Sequence, residues 1–183
     1  MLEKYVEAVK KCIDSTFVYG SVWDKKVNFG PLYGGKGIAK VRDHLKDSLS
    51  KGAQLRHGGE REGAGPNFFL PSIVTGTSGD MKFLSDETFG PLAFFVPFET
   101  EEEALRIAND TEYGLAGYFY TEDISRMWRV AEELKVGMVG ARVGLVSAAE
   151  MPFGGVQESG LGREGGIDAL KEFLDIKSIT VGI

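Results

Sequence analysis

The stretch that most constrains the fold is an apolar run at residues 92–96, preceded by a tight polar turn at residues 87–91. The run has no polar alternation, which is typical of a strand covered on both faces, so we expect a buried strand there. In the turn, Glu87 and Phe89 place a carboxylate beside an aromatic ring at the mouth of that strand. Such a pair could hold a sugar hydroxyl and stack a ring. The local residues alone favour a simpler interpretation, in which the turn leads into the strand and Glu87 is solvated.

Helical and strand patterns alternate along the rest of the chain. Apolar residues at helical spacing predict amphipathic helices, and short apolar runs between glycines or prolines predict strands. The predicted helices cover residues 1–13, 36–50, 101–109 and the segment between Thr121 and Gly137, and the predicted strands cover residues 53–57, 68–75, 118–120 and 138–139. This alternation predicts an α/β fold of three layers, αβα, with a mostly parallel sheet.

Two of these helices carry recognisable start signals. Thr100 and Glu103 have the spacing of a capping box, in which each side chain can satisfy a free backbone amide of the first turn. Thr121 is expected to cap the following helix. The apolar stripe of that helix is expected to be buried as ordinary core rather than to bind a cofactor, and it consists of Ile124, Met127, Trp128, Ala131 and Leu134.

Other segments are less regular. Residues 14–29 are aromatic and fit no clear element, and Pro71 indicates either an edge strand or a bulge. His44 lies beside the apolar stripe of its helix, where we interpret it as a partly buried packing residue. Residues 168–174 predict a short helix, and residues 178–183 predict a final strand that is an exposed edge unless a partner covers it.

Composition excludes several function classes. The net charge is −6 with a pI of about 5.1, and no basic cluster suggests a nucleic-acid surface. No apolar run approaches the length of a membrane span, so we expect no membrane partner and a cytoplasmic protein. A single cysteine rules out an internal disulfide, and two isolated histidines give no metal-ligand cluster.

Three motifs occur in an order that resembles the aldehyde dehydrogenase superfamily. They are Glu-Thr-Phe-Gly-Pro at residues 87–91, Pro-Phe-Gly-Gly at residues 152–155 and Ser-Gly-Leu-Gly-Arg-Glu at residues 159–164. The sequence between these motifs is most similar to the succinate-semialdehyde dehydrogenase branch. It includes Gly-Leu-Ala-Gly-Tyr-Phe-Tyr at residues 114–120 and Val-Gly-Met-Val-Gly at residues 136–140.

The resemblance implies NAD(P)-dependent oxidation of succinate semialdehyde to succinate through a thioester. Residues 1–175 would be a truncated aldehyde dehydrogenase catalytic domain, and residues 176–183 a C-terminal oligomerisation strand. In the family, the nucleophilic cysteine, the base and most of the cofactor domain precede the segment that this sequence resembles. We therefore assign no catalytic residue and expect the chain alone to be inactive. The alternative is a non-catalytic regulatory partner, oligomerising with full-length aldehyde dehydrogenase subunits. A full-length relative could also be mitochondrial.

The resemblance also assigns binding residues. Glu87 corresponds to the carboxylate that holds the nicotinamide ribose hydroxyls of NAD or NADP, and Phe89 to the aromatic that packs near the nicotinamide. Phe153 matches the aromatic wall of the aldehyde tunnel. Ser147 aligns with the serine that contacts the distal carboxylate of the substrate. Because Glu87 and Phe89 touch only one end of the cofactor, we expect binding by the chain alone to be weak.

Two positions depart from the family pattern. Arg142 stands where an asparagine is usual, and Ala148 stands where this branch often has a second serine. Arg142 could supply the cation that a neutral serine needs to select a carboxylate, although a surface or ion-paired arginine is the simpler interpretation. Cys12 follows two lysines near the end of a predicted helix, and we interpret it as a structural or incidental thiol rather than a nucleophile.

Residues 160–165 fit the pattern G-x-G-x-x-G literally. A dinucleotide fingerprint requires a strand immediately before the glycines and a βαβ unit after them. The preceding residues do not predict a strand, and only one helix pattern follows. We therefore expect these glycines to let a loop pass close to the active-site tunnel rather than to bind phosphate.

Overall fold

The computed structural model describes residues 1–60 and 65–182. Over this range four α-helices form: α1 (Leu2–Thr16), α2 (Gly34–Ser50), α3 (Glu101–Asn109) and α4 (Ile124–Glu133). Seven strands form in the same range: β1 (Gln54–Gly59), β2 (Leu70–Thr75), β3 (Leu92–Phe94), β4 (Tyr113–Gly114), β5 (Ala116–Phe119), β6 (Met138–Ala141) and β7 (Val156–Gln157). The predicted α/β class is confirmed, with parallel pairs β2–β3 and β5–β6 and antiparallel pairs β1–β2 and β4–β7. None of the described helices is long and apolar enough to cross a bilayer.

The chain divides into two compact units, Met1–Pro97 and Phe98–Ile183. In the first unit, β1, β2 and β3 form one sheet in that order. Ile73 of β2 packs with Val6 and Ile13 of α1, whereas its neighbour Val74 packs in a cluster that includes Leu45 of α2. Adjacent residues of a strand point to opposite faces, so α1 and α2 cover opposite faces of the sheet. The three-layer αβα arrangement is therefore present in this unit.

The sheet corrects two expectations. Strand β3 is shorter than predicted and its residues are half-buried, because it lies at one end of the three-stranded order and pairs only with β2. Pro71 lies in the central strand, so the edge-strand alternative is wrong. The bulge alternative is confirmed, since the pairs His57–Ile73 and Gly59–Leu70 leave two β2 residues opposite one residue of β1.

The aromatic segment after α1 is irregular, as expected, and one side chain orders it. The Asn28 side chain accepts a hydrogen bond from the backbone amide of Val18 at 2.8 Å and donates one to the Thr16 carbonyl at 2.7 Å. An isolated bridge joins Tyr19 and Phe29. Residues 61–64 lie outside the described part of the chain.

In the second unit, β5, α4 and β6 form a parallel βαβ unit. The predicted cap at Thr100 is confirmed, because its Oγ1 accepts from the Glu103 amide at 3.1 Å. The Glu103 carboxylate also reaches back, but it accepts from the Glu99 amide at 2.7 Å rather than from the Thr100 amide of a regular capping box. The predicted cap of α4 was wrong: Asp123, rather than Thr121, accepts from an amide of the first turn.

Helix α4 also departs from the predicted burial. It ends at Glu133, before Gly137, and Ile124 and Trp128 are 64% and 66% exposed. The β5–β6 pair is only two strands wide, too narrow to cover the whole apolar stripe of the helix. Towards the C-terminus, Asp168–Phe173 is a 3₁₀ rather than an α-helix. Residues 178–182 are exposed and form no strand, having no neighbouring strand to pair with among the described residues, and residue 183 lies outside them.

Candidate functional site

The candidate cofactor residues lie on the turn between a 3₁₀ helix at Lys82–Leu84 and strand β3. Glu87 is exposed, and its carboxylate has no hydrogen-bond or ion-pair partner among the described residues. Phe89 is 83% exposed, so its ring is also uncovered. An unpaired carboxylate and an uncovered ring two residues apart can both contact a ligand without breaking an interaction with the described residues.

The backbone of this turn is constrained. Phe89 has φ = 42°, a left-handed conformation that costs a bulky residue on the order of 1–3 kcal/mol and persists only where the surroundings enforce it. The next residue, Gly90, packs on α2, because a Cβ at this position would overlap Cγ2 of Val41. The turn is therefore held against a fully buried residue of the core.

Helix α2 also holds the turn through polar contacts. His44, whose side chain is fully buried, contacts Asp86 Oδ2 through Nε2 at 3.1 Å and Thr88 Oγ1 through Nδ1 at 2.9 Å. Lys40 Nζ donates to Asp86 Oδ1 at 2.7 Å. These hydrogen bonds, first from Lys40 and then from His44, hold the pKa of Asp86 below its ordinary value.

The interpretation of His44 as a partly buried packing residue was therefore wrong. The side chain is completely buried and makes two polar contacts with residues more than 40 positions away in the sequence. Nothing in the helical pattern around residue 44 signals those partners. The only available signal was that a polar side chain at the edge of an apolar stripe requires partners once it is buried.

The candidate substrate residues belong to the second unit. Arg142 directly follows β6, has φ = 60°, and its backbone amide donates to the Phe119 carbonyl at 2.9 Å. Its guanidinium is exposed and forms no hydrogen bond or ion pair with the described residues. Ser147 lies on the same loop and is exposed, as is Ala148. The loop therefore offers a hydroxyl and an unpaired cation to solvent.

Phe153 is half-buried at the end of that loop, where it forms an isolated antiparallel bridge with Glu164. The two backbone hydrogen bonds of the bridge are 2.6 and 2.7 Å long. The next residue, Gly154, approaches the neighbouring loop so closely that a Cβ would lie 2.7 Å from the Gly162 carbonyl oxygen. The Pro-Phe-Gly-Gly motif is thus fixed against the glycine-rich loop.

Arg163 completes this contact between the two motifs. Its Nη1 donates to the carbonyl oxygens of Gly155 and Gly162, both at 2.7 Å. The glycine-rich loop is preceded by the two-residue strand β7 and followed by a 3₁₀ helix, which is not the strand–loop–α-helix context of a dinucleotide fingerprint. Two backbone segments pass close together here, and the expected approach of this loop to an active-site tunnel stays a prediction.

Cys12 lies on α1 and is exposed. Its sulfur is 3.7 Å from Thr16 Oγ1, a weak contact that supplies no general base. Over residues 1–60 and 65–182, no group of three or more potential metal-ligating side chains occurs. Of the predicted site residues, Glu87 and Phe89 share one turn in the first unit, and Arg142, Ser147 and Phe153 follow one another along a segment of the second.

This chain is similar in sequence and in structure to aldehyde dehydrogenases. The sequence profile of the aldehyde dehydrogenase family matches residues 1–179. The mitochondrial succinate-semialdehyde dehydrogenase of Rattus norvegicus is 45% identical over 179 residues, which are 98% of this chain and 34% of that protein. The succinate semialdehyde dehydrogenase of Acinetobacter baylyi is 42% identical over 180 residues, 98% of this chain and 37% of that protein. The chain spans about a third of the length of these relatives.

Solved structures show the same relationship in three dimensions. A succinate-semialdehyde dehydrogenase from Burkholderia pseudomallei superposes with a TM-score of 0.90 at 44% identity, over 94% of this chain and 36% of that one. An NADP-dependent enzyme from E. coli superposes with a TM-score of 0.95 at 41% identity, over 100% of this chain and 38% of that one. By sequence and by fold, the chain belongs to the aldehyde dehydrogenase family.

Proposed function

We propose that this chain supplies the nicotinamide-ribose contact and part of the aldehyde-binding wall for NAD(P)-dependent oxidation of succinate semialdehyde. The observation that carries the proposal is the turn in which unpaired Glu87 and uncovered Phe89 are presented on a constrained backbone. A carboxylate accepts hydrogen bonds from both hydroxyls of a ribose, and an aromatic ring packs against a planar heterocycle. When bound, the nicotinamide would accept the hydride from the substrate.

The loop after β6 supports a substrate that carries a carboxylate. Arg142 has no anionic partner among the described residues, and Ser147 adds a neutral donor on the same exposed loop. A guanidinium forms paired hydrogen bonds with a carboxylate, which a serine alone cannot do. The names of the relatives support succinate semialdehyde, whose distal carboxylate fits this pair of groups.

The experiment that tests the proposal is a fusion in which this chain replaces the matching segment of the rat enzyme. We expect NADH or NADPH formation at 340 nm with succinate semialdehyde. Glu87→Gln should lower kcat/KM for the cofactor by about tenfold or more, since about 1.4 kcal/mol of lost binding corresponds to a factor of ten. Glu122→Gln, at an exposed glutamate of the second unit, is the matched control. Equal effects of both substitutions in a folded, active fusion would contradict the proposal.

The unfused 183-residue chain is expected not to turn over substrate, because the only hydrogen-bond contact of the Cys12 sulfur with the described residues is the Thr16 hydroxyl, which is not a general base. Assaying the chain and its Cys12→Ser variant with NAD and NADP tests this expectation. Aldehyde-dependent absorbance that disappears in Cys12→Ser would identify Cys12 as the nucleophile and overturn our assignment.

A second candidate function is that of a non-catalytic partner of full-length aldehyde dehydrogenase subunits. It is favoured by apolar side chains left exposed in the segment proposed as the oligomerisation strand, namely Ile176, Ile179 and Val181. Co-purification of the tagged chain with a full-length subunit, lost when Ile179 and Val181 are both replaced by Ser, would support this function. Failure to associate at micromolar concentration would refute it.

A further inference from the structure

The turn at residues 86–90 alternates between anchored and uncovered residues. Asp86 and Thr88 are bonded to the buried imidazole of His44, and Gly90 packs on Val41. Between these anchors, Glu87 and Phe89 are exposed. One buried side chain on α2 therefore bonds the side chains on both sides of Glu87, whose carboxylate has no partner among the described residues.

The direction of these hydrogen bonds follows from the groups involved. A carboxylate can only accept, so Nε2 of His44 donates to Asp86. In the neutral imidazole, Nδ1 must then accept from the hydroxyl of Thr88, whereas in the protonated form Nδ1 donates to the same oxygen. Both contacts are compatible with either protonation state. His44 can therefore keep both contacts with the turn whether its imidazole is neutral or protonated.

A catalytic interpretation of the same three groups is less well supported. Carboxylate, imidazole and hydroxyl also occur in this order in acyl-transfer triads. Here, however, the imidazole is fully buried under the turn and the Thr88 hydroxyl belongs to a half-buried residue. A substrate cannot reach the imidazole without displacing the turn, so the contacts describe an anchor.

We propose that His44 is a positioning residue, which fixes the turn at residues 86–90 so that Glu87 and Phe89 are held ready for a ligand. The role in ligand binding rests on the function proposed above, whereas the role in fixing the turn does not. His44 touches neither ligand nor reacting atoms in this scheme. It acts through Asp86 and Thr88 on the residue between them.

The test is amide hydrogen exchange of the full chain, followed by mass spectrometry of the peptide covering residues 83–91, in which the amides of Ser85 and Asp86 donate to the Lys82 carbonyl at 3.1 and 2.9 Å. His44→Leu removes both contacts, His44→Asn can retain the one to Thr88, and His44→Gln can retain the one to Asp86. We expect exchange in this peptide to accelerate about tenfold or more in His44→Leu, with smaller increases in the Asn and Gln variants, while β2 stays protected.

Two further variants keep the test decisive if His44→Leu fails to fold. Thr88→Val and Asp86→Ala each remove one hydrogen-bond partner of the buried imidazole and should each accelerate exchange in residues 85–91. His57→Leu is the matched control, because His57 pairs with Asp14 of α1 at 3.1 Å rather than with the turn. Folded turn variants that keep native exchange in this peptide, or that loosen β2 equally, would overturn the proposal.

Saturation-transfer NMR with NAD separates this inference from the proposed function. If both hold, Glu87→Gln and His44→Leu each weaken the signal of the nicotinamide ribose protons. If His44→Leu loosens the turn but the native chain and Glu87→Gln give equal ribose signals, the proposed cofactor contact fails and the anchoring role of His44 stands.

Discussion

Glu101 and Arg129 form a two-point ion pair between α3 and α4. The Nε and Nη2 atoms of Arg129 donate to the two carboxylate oxygens of Glu101 at 2.5 and 3.0 Å, and Arg126 donates to the same carboxylate at 2.8 Å. At the other end of α3, the Asn109 side chain bonds to the Glu133 carbonyl and the Lys135 amide, both at 2.8 Å. The two helices are therefore joined at both ends of α3.

This ion pair predicts a specific acid dependence. The hydrogen bond from Arg129, followed by that from Arg126, lowers the pKa of Glu101 to about 2. A carboxyl whose folded pKa is depressed stabilises the fold above its unfolded pKa, near 4.5, and loses that contribution as the pH falls towards 2. The melting temperature of the native chain should exceed that of Glu101→Gln above pH 4.5, and the difference should shrink steadily as the pH falls from 4.5 towards 2. Glu102→Gln is the matched control, and a difference that is undiminished at pH 2 would contradict the assignment.

The packing of Gly90 on Val41 predicts that Gly90→Ala destabilises the chain. The added methyl group overlaps the Val41 side chain, and overpacking of this kind costs about 1–3 kcal/mol. Urea denaturation measures the change in the free energy of unfolding. Gly79→Ala is the matched control and should have little effect, because a Cβ there meets nothing within 4 Å. Similar losses at both positions would show that the contact with Val41 is unimportant.

The left-handed backbone of Phe89 predicts an unusual order of stability. Because the ring is exposed, Phe89→Ala should change the free energy of unfolding little, whereas Phe89→Gly relieves backbone strain and should be more stable than Phe89→Ala by about 0.5–1 kcal/mol. Thermal unfolding of both variants measures the difference. Phe98 is the control position, because it is exposed and its φ is not positive. There, Phe98→Gly should be less stable than Phe98→Ala. The same order at both positions would rule out strain at Phe89.

The contacts of Arg163 predict a cost for removing its guanidinium. Arg163→Met leaves the carbonyls of Gly155 and Gly162 without this donor in a partly buried setting, which costs about 1–3 kcal/mol. Arg142→Met, at an exposed guanidinium without a described partner, should stay within about 0.5 kcal/mol of the native chain. Chemical denaturation, monitored by a signal from the second unit, compares the free energies of unfolding of the two variants. Equal losses would mean that Arg163 does not hold the two loops together.

The sequence predicts features that depend on local chemistry better than those that depend on distant partners. The cap at Thr100 and the end of α2 at Ser50 follow from short-range geometry, and both agree with the prediction. The two partners of His44 lie more than 40 residues away, so no periodicity could indicate them. The exposure of Trp128 likewise depends on the width of the sheet beneath α4 and not on the spacing of its apolar stripe.

The contact between Val41 and Gly90 links the interior to the surface turn and so constrains how the sequence can diverge. Val41 packs with Ile38 and Phe69 in the core, and its outer methyl group sets how near the turn can lie to α2. A mutation to isoleucine that the core could absorb would still push Phe89 and Glu87 outward. Position 41 should therefore change only together with position 90, and a variant that repacks this core should displace the turn at residues 86–90 before it loses its fold.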